Sequence, residues 1–351
     1  MSLAVLCIAV IAAVVPTPAD WVERLYSQQL YPLAQNTVTR LSSLVGFALF
    51  DVVLLLGVAG LGVWWCRSLR RLGRGDRTLG RAVGRQLFRT TVIAASVYLA
   101  FVAVWGLNYR RVPLALKLDY AQSRVTPTAL ADLAAESVRR VNALYDPARA
   151  TAWTGLVEFP SRLAPAFEHV QQRLGASRAA VAGIPKTTML TAYFQRAGID
   201  GMLNPFSLEV LVNETVLPFE RPFVVAHEWG HLAGYANEAE ASFVGWLTCL
   251  AGNDQSRYSG WLFLTRRLLL AVPPAARADL WAAMDDGPHA HIRAIDARLG
   301  RTVPVVSRNA RRVYDRFLRA NRVDGGVASY GLVVDLILGT DGTPIWRGLA
   351  G

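Results

Sequence analysis

Two histidines four residues apart, with a glutamate beside the first, carry the strongest chemical signal in this 351-residue chain. They stand in the stretch Val224-Val225-Ala226-His227-Glu228-Trp229-Gly230-His231-Leu232-Ala233-Gly234. On a helix, residues four apart lie about one turn apart on one face, so the imidazoles of His227 and His231 can share one metal ion. Zinc takes imidazole nitrogen at ~2.0–2.1 Å, and one zinc ion is the expected cofactor. Glu228 lies roughly 100° further round the helix. That is a poor place for a ligand to the same ion and a good one for a carboxylate that takes a proton from a water the ion polarises.

The neighbours separate this pattern from a chance H-E-x-x-H on a solvated surface. Val224, Val225, Ala226, Trp229, Gly230, Leu232 and Ala233 are uncharged, whereas a surface helix would carry Lys, Arg or Gln at several of these places. Three polar side chains in such a helix need partners, and a metal supplies them. Gly234 is a natural stop for the helix. Asn237-Glu238-Ala239-Glu240 then reads as the start of a second helix, with Asn237 as its N-cap and Glu240 three residues on, as in a capping box. A short turn folds that helix back towards the metal. Capping explains Glu240 and leaves Glu238 free, so Glu238 is the expected third ligand and Glu240 the alternative. Three protein ligands and one open position is the arrangement of catalytic zinc.

On these residues the chain resembles the zincin metallopeptidases, and the Glu-bearing second helix resembles their gluzincin branch. There the third ligand is the first Glu of E-x-x-x-D, which falls on Glu238. The Asp place is Ser242 here, so the carboxylate that orients a ligand in that branch is missing. The metzincin pattern is matched as far as Gly234, but Asn237 stands where its third His would be. The chain is also similar to an uncharacterised family of bacterial membrane proteins with an H-E-x-x-H segment. Trp105-Gly106-Leu107-Asn108-Tyr109-Arg110-Arg111-Val112-Pro113-Leu114, Asn204-Pro205-Phe206 and residues 227–243 carry that likeness. The zincin resemblance implies hydrolysis of peptide bonds in a protein or peptide substrate, with Glu228 as general base. It also implies a substrate strand laid along a sheet edge before the metal helix; Leu208, Val210 and Val212 are the candidate edge. Tyr330, in Ser329-Tyr330-Gly331, is a candidate oxyanion donor.

The elements that must position these groups begin with a membrane anchor. The chain is 53% hydrophobic with positive mean hydropathy, high for a soluble protein. Three spans are expected, at about residues 3–20, 44–66 and 91–107. Eight arginines and one acid lie between Cys66 and Thr90 and supply +7 of the net charge of +11. The basic character is thus one local loop, 67–90, which weakens any nucleic-acid reading and fits a cytoplasmic loop under the positive-inside rule. Residues 19–43, read as a short exposed loop, and the domain 108–351 then lie outside. In a bacterium the chain is an inner-membrane protein with its domain on the periplasmic or extracellular side. Asp51, near the outer end of the second span, reaches water there.

The domain reads as mainly α with a small β element. Helices are expected at about 126–145, 162–174, 258–272, 275–284, 289–299 and 308–320. Thr187–Phe194 and Leu208–Val212 read as a hairpin. Arg266, Arg267, Arg311 and Arg312 read as solvated faces, His169 as structural, and His289 and His291 as surface or turn residues, since helical residues two apart do not share a face. Cys7, Cys66 and Cys249 have no metal or disulfide spacing and read as small buried residues. A non-catalytic, membrane-tethered metal-binding or scaffold protein is the rival reading. A small-solute transporter is a weaker third.

Overall fold

A computed structural model describes residues 2–72, 79–321, 332–343 and 345. The chain is mainly helical, with one two-stranded antiparallel sheet. Helices α3 (Leu49–Leu72) and α4 (Leu79–Val104) contain the stretches Leu49–Ser68 and Val83–Val104, each long and apolar enough to cross a bilayer. Helix α1 (Ser2–Val14) packs along α4 but is only 13 residues long, and the chain bends by 108° as it enters the next helix. Two or three helices can therefore cross a membrane. The middle of the arginine loop, 73–78, and Tyr330 lie outside the described residues.

Residues 19–43 are not an exposed loop. They form helix α2 (Ala19–Ser42), whose stretch Val22–Leu30 has π geometry. The misreading has a physical cause: the buried face of α2 is polar. Glu23, Ser27, Tyr31, Gln35 and Thr39 recur every fourth residue and all are buried. Each finds a partner on the domain. Glu23 pairs with Arg111 at 2.9 Å and Lys117 at 2.8 Å. Ser27 donates to Asn108 Oδ1, Tyr31 to the carbonyl of Leu232, Gln35 to that of Val181, and Thr39 to that of Leu208. Val22, Tyr26, Tyr31, Phe101, Val102 and Trp105 share one core with the H-E-x-x-H helix. The division at 107/108 expected from hydropathy is thus no boundary in the packing.

The hairpin is also shifted from its expected place. Strand β1 (Gly201–Asn204) pairs with β2 (Glu209–Val212) in the register Gly201↔Val212 to Asn204↔Glu209. The segment expected to pair, Thr187–Phe194, instead turns and enters a helix at Thr191; Lys186 alone bridges to Leu211. Lys186 donates to the carbonyl of Val210 and accepts from the N–H of Val212, so β2 has neighbours on both sides. Leu208, Val210 and Val212 are fully buried. They cannot be the substrate edge; among the described residues the sheet edge without a strand partner is that of β1. The buried ion pair of Lys186 with Glu209, at 2.8 Å, holds this arrangement, because each charge needs the other once water is gone. Asp51 accepts from Thr188 Oγ1 and from the N–H of Met189, so it ties α3 to the domain rather than facing bulk water.

The remaining helices follow the expected order. They are α5 (Pro127–Arg149), α6 (Phe159–Arg173), α7 (Thr191–Ala197), α8 (Arg221–Leu232), α9 (Glu238–Leu250), α10 (Asp254–Ala271), α11 (Pro274–Ala282), α12 (Asp286–Leu299), α13 (Pro304–Ala320) and α14 (Leu332–Gly339). Thr126 caps α5 by accepting from Ala129 N–H, with Pro127 in the first turn. Cys249 is buried as expected, whereas Cys7 and Cys66 are exposed on the apolar anchor helices.

Candidate metal centre

The two helices that carry the site, α8 and α9, are pressed together. A methyl on Gly245 would stand 2.8 Å from the backbone nitrogen of His227, and one on Gly230 would stand 2.8 Å from the carbonyl oxygen of Ala241. Backbone cannot yield as a side-chain tip does. Gly245→Ala is therefore expected to cost about 1–3 kcal/mol of stability and to weaken metal binding by spreading His227 from α9. Thermal unfolding and metal titration of the variant check both effects.

Gly234, in the left-handed conformation, ends α8, and Tyr235 N–H returns to the Gly230 carbonyl. The last carbonyls of α8 are taken by residues near the anchor. Tyr31 donates to Leu232 O at 2.8 Å, Trp105 Nε1 to His231 O at 3.0 Å, and Arg111 to Gly234 O at 3.1 Å. Asn237 caps α9, accepting from Ala239 and Glu240 N–H. The metal helix is thus fixed to the residue that follows α4, and the turn after it delivers Glu238.

His227, His231 and Glu238 come together. Glu238 Oε2 lies 3.3 Å from His227 Nε2 and 3.5 Å from His231 Nε2. Atoms bound tetrahedrally to one zinc at ~2.0–2.1 Å stand about 3.3–3.4 Å apart, so the spacing fits a shared ion. The other ring nitrogens are occupied: His231 Nδ1 meets the Tyr235 carbonyl at 2.8 Å, and His227 Nδ1 meets Ser242 Oγ at 3.2 Å. A carbonyl only accepts, so Nδ1 of His231 carries the proton and the lone pair of its neutral form is on Nε2, facing a carboxylate. Two lone-pair-bearing groups face to face are reconciled by a proton or by a metal ion between them. Glu238 Oε2 is buried and without a hydrogen bond. Burial opposes charge on His231, but Glu238 outweighs it and raises the imidazole pKa to about 9. Burial also opposes charge on Glu238, and the two imidazoles still hold its carboxyl well below the usual range.

Ser242 thus orients His227 with a hydroxyl where the resembling branch uses a carboxylate. Tyr314, on α13, donates to Glu238 Oε1. Neither role was read from the sequence. The signal for Tyr314 was available: it shares the inward face of α13 with Ala310 and Leu318, where a phenol needs a partner. Glu240 turns away from this group and accepts the N–H of Leu114 at 2.6 Å.

Glu228 is buried, with Oε2 unbonded. Burial raises its pKa, against the pull of the two imidazoles. A methyl on Gly201 would stand 2.6 Å from Glu228 Oε1, so a larger residue there would have to push this carboxylate from its place. Because Val210 and Val212 turn their peptide groups to Lys186, Leu211 and Glu209 turn theirs to Met202 and Asn204. The peptide groups of Gly201 and Leu203 therefore point to the open edge, beside Glu228.

His289 and His291 do not join this site. His291 is not a surface residue: it stacks on Phe219 at 3.7 Å and bonds Tyr258 at 2.7 Å. Burial, then Arg149, lowers its pKa to about 4. The folded protein binds this proton less readily than the unfolded chain, so stability present above about pH 6.5 is lost as pH falls through about 4. Denaturant melts of the wild type against His291→Phe, from pH 7 to 4, should show a smaller acid loss in the variant.

Fold and site together define a mainly helical protein with helices long and apolar enough to cross a membrane and a His/His/Glu group that could hold a metal ion. A family model described as "Protein of unknown function (DUF3810)" matches residues 26–338, and the chain belongs to that family. No curated protein matches the chain, and no solved structure does.

Proposed function

We propose that the chain is a membrane-anchored, zinc-dependent peptidase acting on protein or peptide substrates at the outer face of a bacterial inner membrane. One observation carries the reading: two imidazole Nε2 atoms converge on an otherwise unbonded carboxylate oxygen, beside a second buried carboxylate with an unbonded oxygen of its own. The zincin likeness of His227, Glu228, His231 and Glu238 supplies the reaction class. The outward placing of the domain rests on the eight arginines in the last turns of α3, the first half of α4 and the segment between them.

His227, His231 and Glu238 would hold the ion, oriented by Ser242, the Tyr235 carbonyl and Tyr314. When bound, zinc supplies Lewis acidity, polarising a carbonyl and lowering the pKa of water to about 7. Glu228, raised by burial, takes the proton of the attacking water and passes it to the leaving amine. The open peptide groups of Gly201 and Leu203 align an extended substrate by strand addition. This replaces β2 by β1 as the substrate edge.

The test is made on the full chain in detergent, because Tyr31 and Trp105 belong to the domain core. Metal content is measured by mass spectrometry and hydrolysis with a peptide library. One zinc per chain is expected, with hydrolysis lost on chelation and restored by zinc. Metal without hydrolysis of any peptide would favour the scaffold reading; a folded chain that takes up no metal would end the proposal.

A further inference from the structure

Helix α2 is built inside out. Its polar face is turned to the domain and satisfied there, while Trp21, Leu25, Leu30, Leu33 and Leu41 point outward, each at least half exposed. Leu44 and Phe47, just beyond it, are 80% and 57% exposed. An ordinary surface helix buries such a stripe, and seven large apolar side chains along one continuous segment are far more than scattered exposure. The chain itself says where this face lies. The N-terminal end of α2 follows α1, which packs along α4, and its C-terminal end is joined by a few residues to Leu49, the first residue of the apolar stretch of α3. Both ends are thus tied to one end of the anchor. A helix of 24 residues, about 36 Å long, held at both ends at that level and bent by 108° from α1, runs across the anchor rather than along it.

We infer that α2 lies in the interface of the bilayer leaflet on which the domain stands, with its outward face among the phospholipid acyl chains. The occupant of the face is lipid, because the stripe is continuous with the apolar surface of the anchor. Arg24 and Arg40, exposed beside it, can reach the headgroups along their aliphatic stems. The inference is independent of any catalytic reading. It has a consequence for the site: α2 is a rigid platform between lipid and metal helix, since Tyr31 on its inner face holds the Leu232 carbonyl at the end of α8.

The test uses the full chain with Cys7→Ser and Cys66→Ser, leaving buried Cys249, and one spin label at Leu25→Cys or Leu33→Cys. The chain is placed in nanodiscs of phosphatidylethanolamine and phosphatidylglycerol. Collision with oxygen, which enriches in acyl chains, and with a water-soluble nickel complex is measured, with dipolar coupling between labels. High oxygen and several-fold reduced nickel accessibility at both positions, without coupling, is the expected result. High nickel accessibility would place the face in water and overturn the inference. Low accessibility to both reagents with strong coupling would show that a second copy of the chain covers it, and would overturn it equally. Both labels sit at exposed positions, and circular dichroism with the unlabelled parent confirms that the fold is kept.

Discussion

Glu228→Gln is expected to lower peptide hydrolysis by about 10²–10⁴-fold while zinc stays bound. The change is nearly isosteric, and it removes a buried carboxylate beside the His227/His231/Glu238 group that can accept the proton of a water there without being a ligand. Glu228 is not part of the His227/His231/Glu238 group, so the affinity for metal should be little altered. Nor should the fold suffer. Glu228 Oε2 has no hydrogen bond to lose, and the carboxylate is buried at a cost that the neutral amide avoids. Three readouts on one purified variant separate the alternatives. Loss of hydrolysis with full metal and unchanged melting assigns the base. Full activity would mean that another group takes the proton. Loss of metal would move Glu228 from the chemistry to the support of the site.

The sequence made the centre of this site legible because its signals are local. H-E-x-x-H, Gly234 and Asn237 each act within a turn or two of helix, and spacing along a helix fixes which side chains share a face. The place of Glu238 beside the two histidines followed from one further local argument, that a capping box with Asn237 accounts for Glu240 and leaves Glu238 free, although the Glu240 carboxylate in fact bonds Leu114 N–H. What was not legible depends on distant partners. Helix α2 hides behind its polarity: the alternation of Glu23, Ser27, Tyr31, Gln35 and Thr39 has helical spacing, but hydropathy reads a polar stripe as solvent-facing. The partners that make it an inner face lie on residues from 108 to 232. The same holds for the hairpin. β-branched residues at 187–194 suggested a strand, and Lys186 alone kept that role, because its buried pairing with Glu209 sets the third chain beside β2. Tyr314 reaches Glu238 across 76 residues of sequence, a distance over which periodicity carries no information.

The two acidic residues that open α9 now have opposite expectations, which makes them the sharpest pair to compare. Glu238→Ala removes the oxygen that faces both Nε2 atoms. Metal affinity should fall well beyond the ~10–100-fold that loss of an outer partner costs, and hydrolysis should go with it. Folding should be affected less, because this carboxylate is held buried mainly by the charge it was meant to share. Glu240→Ala does the reverse. Its carboxylate accepts from Leu114 N–H at 2.6 Å, joining α9 to the segment after α4. Loss of that acceptor leaves a donor of the fully buried Leu114 unpaired, a cost of about 1–3 kcal/mol, while His227, His231 and Glu238 stay in place. Zinc titration and thermal melting of the two variants should therefore cross: weak metal and a near-normal melt for Glu238→Ala, normal metal and a lowered melt for Glu240→Ala. Were the metal lost in Glu240→Ala and kept in Glu238→Ala, the ligand set would have to be redrawn around Glu240. The ring of Tyr314 would then have no ligand to orient.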